Sequence, residues 1–294
     1  MTGRVAYVDG KHFSVETANG AYYSVCRGNL RNHSLLPVSG DFVELENLDE
    51  KQKTAVICQI LPRLNSFKKP PCANIDTLVI VASDSEPRTD LFFIDSLTQL
   101  CILKKIKPVI CANKSDTAPD NRLYETYGSL FDFFSVSAET GEGILPLTEY
   151  LQDKTALMAG NSGVGKSSLI NALIPDALAK TDQLSERIGR GKQTTRKVTF
   201  FVLPQGGLLA DSAGYSSLDF VLDELSDSST DDLLFTEFIP YAAQCRWSDC
   251  RHNGDKGCAI ENAVRSGLIP SSRLESYRKL KLLCAEKSKL KLGY

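Results

Sequence analysis

Short runs in which apolar and polar residues alternate fill the first sixty positions of the chain. Their apolar members are Val5 and Tyr7, Phe13 and Val15, residues 22–25, Phe42 with Val43 and Leu45, and residues 55–60. Turn-forming residues separate the runs at Asp9-Gly10, Asn19-Gly20 and Ser39-Gly40-Asp41. A period of two marks half-buried strands, and several at roughly 8–12-residue spacing predict a small β-barrel or sandwich. Five strands in so short a span fit the oligonucleotide-binding-fold (OB) barrel. The stretch 62–71, PRLNSFKKPP, reads as a linker, because proline interrupts helices and central strands.

From residue 77 the period changes. Continuous apolar runs at 77–82, 108–112, 131–136 and 155–158 predict buried strands, and helical spacing appears between them at 91–104 and 144–151. Strands alternating with helices imply βαβ units and a mostly parallel sheet. Residues 197–203 and 207–210, joined by Pro204-Gln205-Gly206, predict a hairpin added to that sheet. Residues 220–238 are acidic and partly helical in pattern, and they lead into a Cys-rich tail. The expected architecture is therefore multidomain. An N-terminal all-β OB-fold barrel (1–67) is followed by a central α/β segment (68–218) and a mainly helical C-terminal segment (219–294).

Composition narrows the class. With 42% hydrophobic and 24% charged residues, the chain of 294 residues is an ordinary folded, water-soluble one. No apolar run approaches the ~18 residues that span a bilayer, and the opening MTGRVAYVDG lacks the order of a secretory signal. A cytoplasmic location with no membrane partner is expected. Nine cysteines, an odd number, then point to free thiols or metal ligands over a disulfide framework. Cys101 and Cys111 lie in apolar runs and read as buried side chains. The net charge of −2 conceals a partition. Residues 1–70 hold 9 Lys/Arg against 7 Asp/Glu, 71–240 hold 14 against 24, and 241–294 hold 11 against 5. Basic ends around an acidic middle suggest that the ends meet any polyanion.

The chemistry sits in the middle segment. Gly160-Asn161-Ser162-Gly163-Val164-Gly165-Lys166-Ser167, followed by Ser168, has the spacing of a phosphate-binding loop and stands between a strand and a helix. Its glycines let backbone N–H groups wrap phosphates, Lys166 reaches the β- and γ-phosphates, and Ser167 is a magnesium ligand. Asn113-Lys114-Ser115-Asp116, after the strand at 109–112, is the NKxD guanine-reading pattern. The Asp116 carboxylate accepts from two guanine donors that adenine lacks, which favours GTP and GDP over adenine nucleotides. Ser137-Ala138 resembles a second base-contacting loop. Asp211-Ser212-Ala213-Gly214 fits DxxG, in which Asp211 holds magnesium and the Gly214 N–H meets the γ-phosphate. Between them lie Thr194 and Thr195, either of which would close over magnesium. Conventional GTPases run phosphate loop, threonine, DxxG, NKxD, SA. Here NKxD and SA come first, so the order is circularly permuted, a change that costs little when native termini lie close together.

In the tail, Cys245-x4-Cys250-x-His252-x5-Cys258 supplies three thiolates and one imidazole within 14 residues. A closed Cys3His set leaves no open position, so it predicts one structural zinc. Beyond it, residues 273–294 carry a helical apolar stripe at Leu274, Tyr277, Leu280 and Cys284 and a basic remainder that is a reasonable RNA contact.

The barrel, the permuted GTPase motifs and the C-x4-C-x-H-x5-C module together resemble the bacterial ribosome small-subunit-dependent GTPase A family over essentially the whole chain. The resemblance implies GTP hydrolysis stimulated by the small (30S) ribosomal subunit, late in its maturation, by a monomer that docks on its rRNA. Arg27, Arg31 and His33 become candidate RNA contacts. The family's DTPG is Asp211-Ser212-Ala213-Gly214 here, and its histidine before the threonines is Gln193, which becomes the candidate for orienting water. Tyr215 stands where other GTPases carry a water-orienting glutamine. Residues 215–240 lead from DxxG into the Cys/His module, so GTP state is expected to set that module's angle and hence ribosome affinity. A permuted GTPase acting on a non-ribosomal RNA, membrane-associated or protein partner, and a nucleotide-sensing scaffold, are the other readings of these residues.

Overall fold

The computed structural model describes residues 1–28, 36–175, 198–211, 213–226 and 235–291, with the backbone alone at 199, 211, 213 and 214. Thirteen strands are described. They are β1 (Thr2–Asp9), β2 (His12–Thr17), β3 (Gly20–Cys26), β4 (Phe42–Asp49), β5 (Thr54–Ile60), β6 (Ser66–Lys68), β7 (Pro71–Ala73), β8 (Thr77–Ala82), β9 (Lys107–Ala112), β10 (Asp132–Ser135), β11 (Thr155–Ala159), β12 (Thr199–Val202) and β13 (Leu208–Asp211). The described helices are α1 (Leu91–Lys104), α2 (Arg122–Tyr127), α3 (Ile144–Leu151), α4 (Lys166–Leu173), α5 (Leu218–Leu225), α6 (Ile239–Ala242), α7 (Ala259–Arg265) and α8 (Ser271–Lys291). The chain forms two compact units: 1–78, 145–159 and 170–215 make one, and 79–144, 160–169 and 216–294 the other.

In the first unit, β1-β2-β3-β5-β4 close into a barrel. Val5 faces Val15 and Val15 faces Tyr22 across neighbouring strands, while Leu45 faces Ile57. That register turns Val5, Phe13, Val15, Tyr22, Val43, Leu45 and Ile57 into one buried core, as the alternation predicts. β3 and β5 run parallel and complete the ring, which leaves no open edge. The OB-type barrel expected from the sequence is present.

The stretch read as a linker contains structure: β6 and β7 pair antiparallel, with Phe67 opposite Cys72, and both side chains are buried. Pro71 opens its strand, where a missing N–H costs no ladder bond. The Asn65 side chain ties the segment down, donating to Ile75 O at 2.8 Å and accepting from Ile75 N at 2.9 Å. Tyr215 belongs to the same core. It is fully buried, its hydroxyl donates to Pro70 O at 2.6 Å, and Cys72 Sγ lies 3.0 Å away.

A six-stranded sheet has the order β10-β9-β8-β11-β13-β12. Counted with β11 as first strand, that is 6-5-4-1-3-2, so the chain enters a cyclic strand sequence at its fourth member. β12 alone is shown antiparallel, paired with β13 as the predicted hairpin over 204–206. The second unit holds α1, whose residues Phe92 to Cys101 are all buried. Asp90 caps it by accepting from Phe92 N at 3.0 Å, and Lys105 ends it in the left-handed region at φ 57°. The α8 stripe Leu274, Tyr277, Leu280 and Cys284 is buried, as its spacing predicts. Among the described residues no helix is long and apolar enough to cross a membrane.

Candidate functional site

β11 is wholly buried and ends at Ala159, immediately before the phosphate loop, and α4 opens at Lys166. The loop is as tight as its glycines allow. A Cβ at Gly160 would lie 2.3 Å from Val81 O, and one at Gly165, where φ is 91°, would lie 2.4 Å from Asn113 Nδ2. Val164 is buried, and Ser162, Ser167 and Ser168 are exposed at the loop and the first turn of α4. The Lys166 ammonium folds back over the loop and donates to Gly160 O at 2.6 Å and Asn161 O at 2.8 Å. It thus points its charge into the ring of backbone groups where phosphates would sit.

Asn113 joins three of the sequence-predicted elements. It is almost fully buried just after β9, and its Nδ2 donates to Val164 O at 3.0 Å in the phosphate loop. Its Oδ1 accepts from Ala138 N at 3.1 Å, beside the buried Ser137. One amide uses both its donor and its acceptor to hold the base loop, the phosphate loop and the SA loop together. Lys114 turns the chain at φ 66° and sends its ammonium to Glu86 O at 2.9 Å. That turn presents Asp116, exposed, on the 3-10 turn Ser115–Thr117. A cleft of about 440 Å³ bounded by Ser85, Glu86, Lys114 and Thr117 opens beside the loop.

Asp211 ends β13 and Gly214 lies in the 3-10 turn Ala213–Ser216, placed by their backbones. Gln193, Thr194, Thr195, Arg31, His33 and Ser212 fall outside the described residues, whereas Arg27 is half-exposed and pairs with Glu46 at 3.5 Å. Sequence reasoning passed over Asp84 and Glu86. Asp84 is buried after β8 and accepts from Arg122 Nε and Leu123 N, both at 3.0 Å, which fixes the start of α2. A lone carboxylate just past an apolar strand is the signal that could have found it.

Cys245, Cys250, His252 and Cys258 come together, with their ligand atoms within 4.8 Å of one another. His252 Nδ1 lies 3.7, 3.4 and 3.5 Å from the sulfurs of Cys245, Cys250 and Cys258. Tetrahedral zinc, with Zn–S of about 2.3 Å and Zn–N of about 2.0–2.1 Å, places sulfur and nitrogen about 3.6 Å apart. The donor set therefore fits zinc. Burial, with the nearby Lys281 ammonium, holds the His252 imidazole below its ordinary value, so it is neutral and able to ligate at pH 7. Burial also pushes the Cys250 thiol up to about 12, so without a metal this sulfur keeps its proton. The Arg278 guanidinium donates to the backbone His252 O at 2.8 Å and holds the chain at this position.

The model of the RsgA GTPase family matches residues 60–221. The chain belongs to the RsgA GTPase family. It is a GTP hydrolase, and its family implies GTP, GDP and magnesium. A small ribosomal subunit biogenesis GTPase RsgA of Caldanaerobacter subterraneus subsp. tengcongensis is 36% identical over 300 residues, spanning all of this chain and 98% of its own. The RsgA of that name from Geobacillus sp. is 36% identical over 284 residues, covering 90% of this chain and 93% of its own. The solved structure of YjeQ from Thermotoga maritima superposes with a TM-score of 0.82 at 32% identity, over 97% of this chain and 98% of that one. YloQ, a circularly permuted GTPase, does so with a TM-score of 0.79 at 26% identity over 97% and 95%. The family resemblance read from the motifs is thereby shown.

Proposed function

We propose that this RsgA-family GTPase acts in the late maturation of the small ribosomal subunit, binding its rRNA and using GTP hydrolysis to switch its affinity and leave. The observation that carries the reading is the double hydrogen bond of Asn113, which ties loops 113–116, 137–138 and 160–168 together and supports reading them as one nucleotide site. The relatives' printed name, small ribosomal subunit biogenesis GTPase, supports the choice of partner. The barrel (1–67) and the Cys/His segment (219–294) are the RNA-docking modules, and 68–218 is the hydrolytic one. The protein works as a cytoplasmic monomer.

In this reading Asp116 accepts from the guanine edge while the Lys114 stem and Ala138 flank the base. The loop amides of residues 161–166 hold the β-phosphate, and Lys166 moves from its own carbonyls to the β- and γ-phosphate oxygens. Magnesium, when bound, neutralises charge that develops between those oxygens, and Ser167, Asp211 and Thr194 or Thr195 are the residues to hold it. Gln193 orients the attacking water, and the Gly214 N–H meets the γ-phosphate. With Tyr215 committed to the core, this chain has no glutamine beside DxxG, so unaided turnover is slow and the subunit completes the site.

The test is multiple-turnover GTP hydrolysis with and without purified small subunits at a stated salt concentration, because phosphate contacts weaken as salt rises. A stimulation of about tenfold or more by small but not large subunits is expected. Hydrolysis unchanged by subunits would overturn the ribosomal reading, and stimulation by a protein partner alone would favour a different target.

We also propose that the Cys3His set holds one structural zinc. A Cys258→Ser variant is then expected to lose stoichiometric zinc, measured by elemental analysis. Residues 245–258 should become cleavable by protease while 1–60 stay resistant, because metal affinity of this kind is folding free energy. Retention of one zinc per chain would count against this assignment.

A further inference from the structure

Among the described residues fourteen large hydrophobic side chains are exposed, and Trp247 is one of them. It is 52% exposed and is the chain's single tryptophan. It lies two residues past Cys245 and three before Cys250, within the Cys/His loop. Its carbonyl accepts from Cys250 N at 3.3 Å, and the preceding Arg246 N donates to Gly257 O at 3.2 Å. Gly257 has no side chain where Arg246 lies, since a Cβ there would be 2.9 Å from Arg246 Cβ. The Arg246 guanidinium carbon sits 5.0 Å from the centre of the indole ring. A cation thus lies against an indole, on backbone held beside Cys245 and Cys258.

Such a pair is an unusual use of surface. An exposed indole gains little from water, and a guanidinium against an indole is attracted by the ring's negative face. Trp247 remains half-exposed, on a segment (241–294) with 11 Lys/Arg against 5 Asp/Glu. Flat π-faces beside positive charge are what unpaired nucleobases stack on, whatever their identity, while the same charge holds the neighbouring phosphates. An acidic protein surface would be served by the charge but not by the flat ring.

We propose that Arg246 and Trp247 form a stacking platform for one unpaired base of the RNA partner. The inference rests on the RNA-binding part of the proposed function and deepens it to a residue pair. The platform is built before binding, so it gives affinity without ordering a loop. It does not depend on base identity, so it recognises where a base is unstacked and not which base it is.

The single tryptophan is its own probe. Titrating the full zinc-loaded chain with hexaadenylate RNA is expected to quench Trp247 emission, whereas polyphosphate of equal charge should not. Equal effects from both, or no effect from RNA, would overturn the platform. In sedimentation with small ribosomal subunits, W247A is expected to bind about tenfold more weakly than wild type. W247F should restore most of the loss and W247L little of it, with zinc content and unstimulated GTP hydrolysis unchanged in all three. W247L binding as well as W247F would mean an apolar protein pocket and would also overturn the proposal. Wild-type protein that fails to sediment with subunits would reject the ribosomal reading, while the RNA titration still decides the stacking.

Discussion

Replacing Arg273 with alanine is expected to cost about 3–5 kcal/mol of stability, read as a lowered denaturant midpoint. Arg273 lies in the first turn of α8 and is fully buried. Its Nη1 donates to Asp95 Oδ1 at 2.6 Å and its Nε to Glu237 Oε1 at 2.5 Å. Its guanidinium carbon lies 4.0 Å from the Phe235 ring centre, and the Tyr127 hydroxyl donates to the same Asp95 oxygen at 2.6 Å. One cation therefore fastens α8 and the segment 235–238 to α1. Burial alone would lower the Arg273 pKa, but the Asp95 and Glu237 carboxylates more than offset it and hold the charge in place. Removing the arginine strands two carboxylates in apolar surroundings, which is why the loss is large. The triple replacement D95L/E237M/R273M should recover most of it, because buried ion pairs are often no better than well-packed apolar groups. A triple variant as unstable as R273A would refute that account.

Lys166→Ala is expected to lower GTP hydrolysis by about 10²–10³-fold, the cost of losing one charge aimed at a developing anion. Lys166→Arg should not rescue it, because the planar guanidinium cannot replace a compact ammonium in a loop this tight. The fold should hardly notice either change, since the carbonyls of Gly160 and Asn161 that Lys166 releases belong to a loop whose path its glycines set. Single-turnover hydrolysis at saturating GTP, set beside thermal unfolding of the nucleotide-free chain, separates the two effects. A variant that hydrolyses GTP at the wild-type rate would remove Lys166 from the mechanism.

What the sequence disclosed and what it hid divide along sequence separation. The phosphate loop, NKxD and the Cys/His set are local patterns whose spacing carries the chemistry, so each could be placed before any coordinate was known. Helix α1 was legible from its length and apolar content, but not that Asp95, Ser96, Thr98 and Gln99 would be buried within it. Asp95 and Thr98 meet Arg273 of α8, and Asp95 and Arg273 are 178 residues apart. No window of a few residues reports such a pair. The hairpin at 66–73 was hidden for another reason. Prolines there suggested an unstructured connection, whereas strand-opening Pro71 tolerates pairing and Phe67 and Cys72 bring the segment into the core. Asn113 stood in the NKxD pattern, but its simultaneous grip on Val164 and Ala138, 51 and 25 residues away, is beyond any local window. Tyr215 looked like a substitution at a catalytic position and proved to be a core residue, a distinction that only burial makes.

The Arg273–Asp95 pair also sets an order of events at birth. At about 5–20 residues per second, Asp95 is made roughly 10–35 seconds before the arginine that neutralises it. The barrel, whose partners all lie within the first sixty residues, can close early in that interval. The second unit must instead wait for Arg273 before Asp95 on α1 has its counter-charge. A nascent chain stalled before residue 273 is therefore expected to carry a finished barrel and an α1 whose buried Asp95 is still uncompensated.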